Sequence, residues 1–441
     1  MDWVRKGWPA LALVLLLIAG AAALLSQQGE EPRSLSEQAC ALENRLDILQ
    51  RGVHESRSGE ILLATRSGVF LDPRDVRGGP SGLDPSLASV PIVFFAPGRV
   101  DVAGFTGSSA THADVAPTLA SLLKGSVSAD GTPLPEVGRI DARSLRRPSP
   151  RLVLTVVWQG GGWNVLEQWP GDWPNLLRMI EGGVAYEGRA GTLGLGPAVA
   201  AATLATGRWP ATHGITDEII RRSDGTIDQV SLDGGHAPPG LLAVPLYERW
   251  QRQQEEALTG SVQAADAVLD ITSGDWGADR IPDLLTVVDD AIALAGAAHG
   301  VDSEQTNEAV TGADRRLGRL LGVLDEVVGE GRYVVALTAD GGHPLDPEDV
   351  PSVAIDPERV RGVLDDAFGP VVEAVTPTQV FLQRDLPEGV TSDVIAGHLA
   401  GLKVGDVTER RLPGDIGASH LFDLAAPREQ IGRLQCRASA E

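Results

Sequence analysis

Three uninterrupted apolar runs of strand length mark the larger part of the chain. Leu152–Trp158 is rich in β-branched residues, and Leu284–Val288 and Tyr333–Leu337 repeat its pattern. Runs without polar alternation are typical of strands that a parallel sheet buries on both faces. Between the last two runs, apolar residues recur at the spacing of an amphipathic helix. They are Leu317, Leu320, Leu321, Leu324, Val327 and Val328. Strands that alternate with helices predict an α/β fold with a mostly parallel central sheet.

Fewer elements are predicted before and after this part. Glu60–Ala64 and Val90–Ala96 predict strands, and Ala113–Leu123 predicts a helix. Near the end, Thr378–Leu382 predicts a strand and Ser392–Leu402 a helix. The chain then divides into a polar stalk (27–55), a first strand-helix block (56–125), a linker rich in Ser, Pro and Gly (126–150), a main α/β domain (151–369) and a C-terminal extension (370–441).

The first 26 residues predict a membrane anchor. Trp8–Leu25 contains no charged residue, and Arg5 and Lys6 precede it. A helix of this length is about 27 Å long, enough to span the hydrocarbon core of a bilayer. The positive flank predicts a single-pass protein of the cell membrane with an extracytoplasmic body. Small residues around Gly20 leave a cleaved signal peptide as the alternative, in which case the body is secreted.

Charge and cysteine content narrow the possible partners. The chain carries 60 acidic and 37 basic side chains, a net charge of -23. This charge repels a phosphate backbone and argues against a nucleic-acid partner. The two cysteines, Cys40 and Cys436, bracket the exported part, and an oxidising compartment favours a disulfide between them. Two unrelated free thiols are the alternative.

Common active-site motifs are absent from the sequence. The glycines that follow the first buried strand, Gly160–Gly162, lack the third glycine of a dinucleotide-binding turn. GxSxG, Walker A, HExxH and CxxC patterns do not occur, and the eight histidines are scattered. Local spacing therefore indicates no nucleotide, metal or serine-hydrolase site.

Four segments of the main domain carry a longer pattern when they are read in order. They are LTVVWQGGGWN (154–164), WPNLLRMIEGGVAYEG (173–188), TLATGRWPATHGI (203–215) and RLGRLLGVLDEVVGEGRYVVALTADGGH (316–343). This pattern resembles the alkaline phosphatase superfamily, in particular the secreted bacterial members of its type I phosphodiesterase and nucleotide pyrophosphatase branch. The resemblance implies an α/β sandwich. It also implies two metal ions that clamp a phosphoryl group while a Ser or Thr attacks it.

The first block resembles a part of the same fold that normally comes last. SVPIVFFAPG (89–98) and HADVAPTLASLL (112–123) are similar to the strand and helix that end the superfamily's chain. Here they precede the first strand of the main domain. The resemblance therefore implies a circularly permuted fold or a partly duplicated one, and an unrelated accessory unit is the alternative.

Nearly all of the family's chemical groups are missing at the matching positions. These positions are Gln159 and Ala293 for metal-binding Asp, Ala297 and Gly341 for metal-binding His, Pro197 for the nucleophile, and Asp340, which keeps its carboxylate. An amide is a poor substitute for a carboxylate at a divalent ion. Proline has no hydroxyl with which to attack. The resemblance thus implies a degenerate site on a retained scaffold.

Two histidines near these positions are weaker candidates. Asp340 with His343 offers a single weak metal site, against the simpler interpretation that both are polar residues of a loop. His213 lies in a turn after a helix, where a structural role is expected.

Three functions are compatible with this pattern. The first is an extracytoplasmic pseudoenzyme that binds a protein or small-molecule ligand and uses no cofactor. The alternative is a divergent phosphoric ester hydrolase with two zinc or similar divalent ions, whose nucleophile would be Thr192, Thr203 or Thr206. The third is a purely structural envelope protein, with a pocket filled by apolar side chains. The first two differ in whether Asp and His side chains converge at the end of the strand Leu152–Trp158.

Overall fold

A computed structural model describes residues 46–66, 68–71, 83–97, 104–138, 149–232, 237–343, 353–408 and 416–434. The strands are β1 (Ile61–Thr65), β2 (Val69–Leu71), β3 (Ser89–Phe95), β4 (Gly104–Thr111), β5 (Leu152–Trp158), β6 (Val184–Arg189), β7 (Ile219–Arg221), β8 (Ile227–Gln229), β9 (Thr259–Gln263), β10 (Asp283–Asp289), β11 (Tyr333–Ala339), β12 (Val353–Ile355), β13 (Val372–Val375), β14 (Gln379–Leu382) and β15 (Phe422–Pro427). The helices are α1 (Leu46–Gly52), α2 (Val115–Leu122), α3 (Pro135–Gly138), α4 (Trp163–Leu166), α5 (Pro174–Gly182), α6 (Pro197–Thr206), α7 (Pro210–His213), α8 (Leu246–Gln253), α9 (Ala267–Ser273), α10 (Ala291–His299), α11 (Glu304–Val323), α12 (Pro357–Phe368), α13 (Ser392–Gly401) and α14 (Arg428–Ile431).

Seven strands form a mixed central sheet in the order β4-β6-β3-β11-β5-β10-β9. β5 is parallel to both of its neighbours, so that Thr155 pairs with Thr286 of β10 and with Ala336 of β11. Only β3 runs antiparallel to its neighbours in this sheet. The predictions that β5 and β11 lie near the centre of one mostly parallel sheet are confirmed.

Helices cover both faces of the central sheet and make a three-layer sandwich. On one face, Leu154 belongs to a buried cluster with Leu176 of α5 and residues of α11. On the other face, Val153 belongs to a cluster with Leu119 of α2 and Leu246 of α8. Successive side chains of a strand point to opposite faces. Because helices cover both faces of β5, polar residues do not alternate with apolar ones along this strand. This explains the apolar run in the sequence.

The first predicted block divides between two sheets. β3 lies in the central sheet between β6 and β11, as expected if this segment belongs to the superfamily fold, and it is not part of a separately folded block. Whether permutation or duplication placed it there stays a prediction. β1 instead joins a four-stranded sheet in the order β13-β14-β1-β15 with strands of the predicted C-terminal extension. The boundary at 56–125 is therefore wrong for β1, because its partners come from the opposite end of the chain.

Two segments predicted as connections contribute to the core. Leu49 of α1 is fully buried in a cluster with Leu62, Leu193 and Leu424, so the predicted stalk (27–55) ends inside the folded body. In the predicted linker (126–150), Val137 of α3 packs against the central sheet's second face. Both corrections arise from a few apolar residues in mostly polar segments: Leu46, Ile48, Leu49 and Val53 in the first, and Val127, Leu134 and Val137 in the second.

The predicted anchor lies outside the described residues, and so do Cys40 and Cys436. Within the described ranges, no helix is both long and apolar enough to span a bilayer. Membrane attachment, export and the disulfide stay predictions.

Candidate functional site

Residues at the carboxyl ends of β5, β10 and β11 form the predicted site. Parallel α/β sheets place their ligands at this edge. Gln159 follows β5 directly and is 7% exposed. Its N–H donates to the carbonyl of Asp289 at 2.8 Å, and its own carbonyl accepts the N–H of Ala293 at 3.0 Å. Backbone hydrogen bonds therefore join Gln159 to Asp289 and to Ala293 at this edge of the sheet.

The turn after β5 is held by Asp340. Gly160 has a φ of +72°, and a Cβ at this residue would lie 2.9 Å from the Cα of Ala293, so only glycine fits. The Gly160 N–H donates to Asp340 Oδ1 at 2.7 Å. Burial raises the pKa of Asp340 to about 6, although backbone donors act in the opposite direction. The one carboxylate that matches the family thus stabilises a turn.

A carboxylate occupies the start of α6, where the family pattern places the nucleophile. Pro197 is the first residue of α6 and follows Gly196. The Ala198 N–H donates to Glu218 Oε1 at 3.0 Å, and a side chain at Gly196 would collide with the same oxygen. The acceptor for this free N–H at the start of the helix therefore comes from the same chain, twenty residues after Ala198.

Glu218 lies among other buried acids. It is 9% exposed, and burial raises its pKa to about 8, with further contributions from the charges of Asp217 and Asp340. The carboxylate of Asp217 accepts hydrogen bonds from the hydroxyls of Thr376 and Thr378 at 2.6 and 2.7 Å. Burial also raises the pKa of Asp217. The sequence analysis missed Glu218, and the only local signal is a pair of acids directly after the HGI segment.

The carboxylate at the end of β10 is committed to a salt bridge. Arg316 of α11 donates from Nε to Asp289 Oδ2 at 2.7 Å and from Nη2 to Oδ1 at 2.8 Å. This bidentate pair uses both oxygens of Asp289. Ala293 and Ala297 lie on α10, which follows β10, and their methyl groups offer no ligand.

The loop after β11 also lacks a metal-binding group at the matching position. Gly341 has no side chain, and a Cβ there would lie 3.4 Å from the Cβ of Leu195. The imidazole of His343 lies against Gly296 of α10, with Cδ2 2.9 Å from the place of a Cβ at that glycine. The carbonyl of His343 accepts a hydrogen bond from Asn164 Nδ2 at 2.7 Å.

These residues do not fit the two-metal cluster that the resemblance implies. Such a cluster needs several carboxylates and imidazoles to offset its charge. In the described part of the chain, no group of three or more His, Cys, Asp or Glu side chains could hold a metal ion. Asp340 is already bonded to the Gly160 N–H, and Asp289 is bonded to Arg316. We therefore derive no reaction step through a metal.

The three threonines of the alternative mechanism are not available as nucleophiles. Each is at most 1% exposed and donates its hydroxyl to a backbone carbonyl. The pairs are Thr192 with Gly194 at 3.0 Å, Thr203 with Val199 at 2.8 Å and Thr206 with Ala202 at 2.7 Å. The structure gives these hydroxyls neither exposure nor a general base at the sheet edge.

His213 has the structural role that its position predicted. Its Nδ1 accepts the N–H of Ile215 at 3.1 Å, so Nε2 carries the proton and faces Thr203 Oγ1 at 3.1 Å. Burial lowers the pKa of His213 to about 3. The ring is therefore a neutral, buried link between α7 and α6.

A comparison with protein families supports the resemblance. Residues 153–275 and 229–349 match the profile of the family described as type I phosphodiesterase / nucleotide pyrophosphatase. No curated protein matches the chain. Two solved structures of murine ectonucleotide pyrophosphatase / phosphodiesterase 5, one of them an inactive form in complex with AMP, align with 43% of this chain. Their identities are 19% and 18%, the TM-score is 0.33 for both, and the chain spans 56% and 57% of their lengths.

Proposed function

We propose that the chain, part of which matches the type I phosphodiesterase / nucleotide pyrophosphatase family, is a pseudoenzyme that retains the fold of the alkaline phosphatase superfamily without phosphoryl chemistry. It acts by binding a protein or small-molecule ligand. It needs no metal cofactor, and its net charge of -23 disfavours a nucleic-acid partner.

The start of α6 is the observation that carries this proposal. A phosphoryl-transfer enzyme of this superfamily needs a nucleophile at that point and space for an anionic phosphoryl group beside it. Here Pro197 supplies no hydroxyl, and the Glu218 carboxylate takes the Ala198 N–H. A phosphoryl group would have to displace the buried Glu218 side chain, which already uses this donor. The pattern of lost ligands at Gln159, Ala293, Ala297 and Gly341 supports the same conclusion.

The proposed location is the cell membrane. Trp8–Leu25 serves as a single-pass anchor, or as a cleaved signal that releases the body, and Cys40 and Cys436 form a disulfide in the oxidising compartment outside. Under this arrangement the carboxyl ends of β5, β10 and β11 are accessible to a ligand outside the cytoplasm.

The test is a hydrolysis assay of the full chain with zinc and a chromogenic phosphodiester. We expect turnover no higher than that of Asp340→Ala, since neither protein has a nucleophile at the start of α6. Metal analysis of the same purified protein should find no stoichiometric zinc. The contrary result is zinc-dependent turnover that survives Asp340→Ala and is lost in Thr203→Val. It would overturn the proposal and favour a divergent hydrolase with two zinc ions and a relocated site.

A further inference from the structure

A cavity of about 60 Å³ lies over the middle of the central sheet, next to the degenerate site. One end of it reaches Gln159 and Pro197. Its floor consists of three in-register pairs of residues from β5 and β10. They are Val153 with Leu284, Thr155 with Thr286 and Val157 with Val288. Helix α6 passes over this floor.

Small side chains on α6 keep the cavity open. Ala201 and Ala205 are one helical turn apart and line it from the same face of α6. Because they present only methyl groups, Thr155, Thr286 and Val288 stay half-buried. The central strands of a parallel α/β sheet are normally covered on both faces. Protein interiors are close-packed, so an unfilled space here is destabilising unless something occupies it.

The side chains that line the cavity determine which class of ligand it can bind. None of the lining side chains carries a charge, and most are aliphatic. The polar groups of the lining are the hydroxyls of Thr155, Thr286 and Tyr247 and the amide of Gln159. An anion finds no cation in this lining, and the nearby Ala198 N–H is already bonded to Glu218. A charged ligand would therefore lose its hydration without compensation.

We propose that this cavity binds a small uncharged ligand with an apolar body and a single hydroxyl. The apolar body packs against Val153, Val157 and Leu284, and the hydroxyl lies near Thr155 and Thr286. The volume accommodates several water-sized groups, which fits a short aliphatic chain that continues towards the open side. This inference rests on the proposed binding function and names its class of ligand.

The test uses butanol as the probe and butyrate as its charged counterpart. Saturation-transfer NMR of the alcohol, titrated against the full chain, should show saturable binding, whereas butyrate and inorganic phosphate should not bind. Ala205→Leu fills the cavity and should weaken butanol binding by about tenfold or more. Ala298→Leu, a matched substitution at an exposed residue of α10, should leave the binding unchanged.

Equal butanol binding by the wild-type protein and Ala205→Leu would overturn the inference, and so would butyrate binding as tight as that of butanol. Circular dichroism identifies variants that fail to fold, and Ala201→Val provides a second, smaller filling substitution. Phosphodiester hydrolysis is measured on the same samples. Turnover there would refute the proposed function, whereas absent butanol binding without turnover would refute only the ligand class.

Discussion

Two helices of this protein begin in the same way and serve different purposes. Both α5 and α6 have a proline as their first residue, Pro174 and Pro197. Each N-terminus then receives a carboxylate from elsewhere in the chain, Asp314 in α5 and Glu218 in α6. Proline suits this position because its missing N–H would have no partner within the helix. The carboxylates complete the caps by accepting N–H groups that the helix leaves free.

The two caps differ in how well the carboxylate is satisfied. Asp314 accepts the N–H groups of Asn175 and Leu176 at 3.1 and 2.9 Å, and the side-chain amide of Asn175 at 2.7 Å. Glu218 accepts the Ala198 N–H and lies near other buried acids. Asp314 is thus a fully paired part of the scaffold. Glu218 occupies the place of the family's chemistry, in surroundings that disfavour its charge.

The largest effect is expected from Asp314→Ala. This substitution leaves the buried N–H of Leu176 and the part-buried N–H of Asn175 without their acceptor, at a cost of about 1–3 kcal/mol each. The side-chain amide of Asn175 keeps its bond to the backbone carbonyl of Asp314. We expect the free energy of unfolding to fall by roughly 2–4 kcal/mol. Urea denaturation measures this change, and Glu308→Ala, at an exposed position of the same helix, is the control. A loss below about 1 kcal/mol would show that water replaces the cap.

A smaller and pH-dependent effect of opposite sign is expected from Glu218→Gln. The pKa of Glu218 is about 8 in the folded protein, above its usual value of 4.5, so the folded state binds the proton more tightly. The stability from this group is therefore complete below about pH 4.5 and is lost as the pH rises through 8. Glutamine keeps an acceptor for Ala198 and has no charge. Its advantage should be near zero below about pH 4.5 and should grow until the pH exceeds about 8.

Thermal or urea unfolding across this pH range checks the expectation. Parallel stability curves for the wild-type protein and Glu218→Gln would contradict it.

The scaffold was easier to predict from the sequence than these caps. β5 has the predicted bounds and β11 extends the predicted run by two residues, because strands buried on both faces leave a continuous apolar run. The strand β4 was missed, since its sequence GFTGSSAT is mostly exposed and has no apolar pattern. Glu218 was missed for a different reason. Its partner is twenty residues away in sequence, and only the folded geometry shows that an acid after the HGI segment reaches the start of α6.

The smallest effect isolates one of the causes that raise the pKa of Glu218. Burial is the largest cause, and the charges of Asp217 and then of Asp340 contribute less. Asp340→Asn removes that charge and keeps an oxygen for the Gly160 N–H, so the turn after β5 should persist. The pKa of Glu218 should then decrease, so the pH-dependent loss of stability should be complete at a lower pH than in the wild-type protein. The part of this loss that comes from ionisation of Asp340 near pH 6 should disappear.

A double-mutant cycle measures the interaction between Asp340 and Glu218. Combining Asp340→Asn with Glu218→Gln should give a coupling of about 0.5–1 kcal/mol at pH 8, whereas Asp302→Asn, at an exposed position, should give none. A coupling of zero for Asp340 would mean that burial and Asp217 set the protonation of Glu218, and that Glu218 and Asp340 are electrostatically independent.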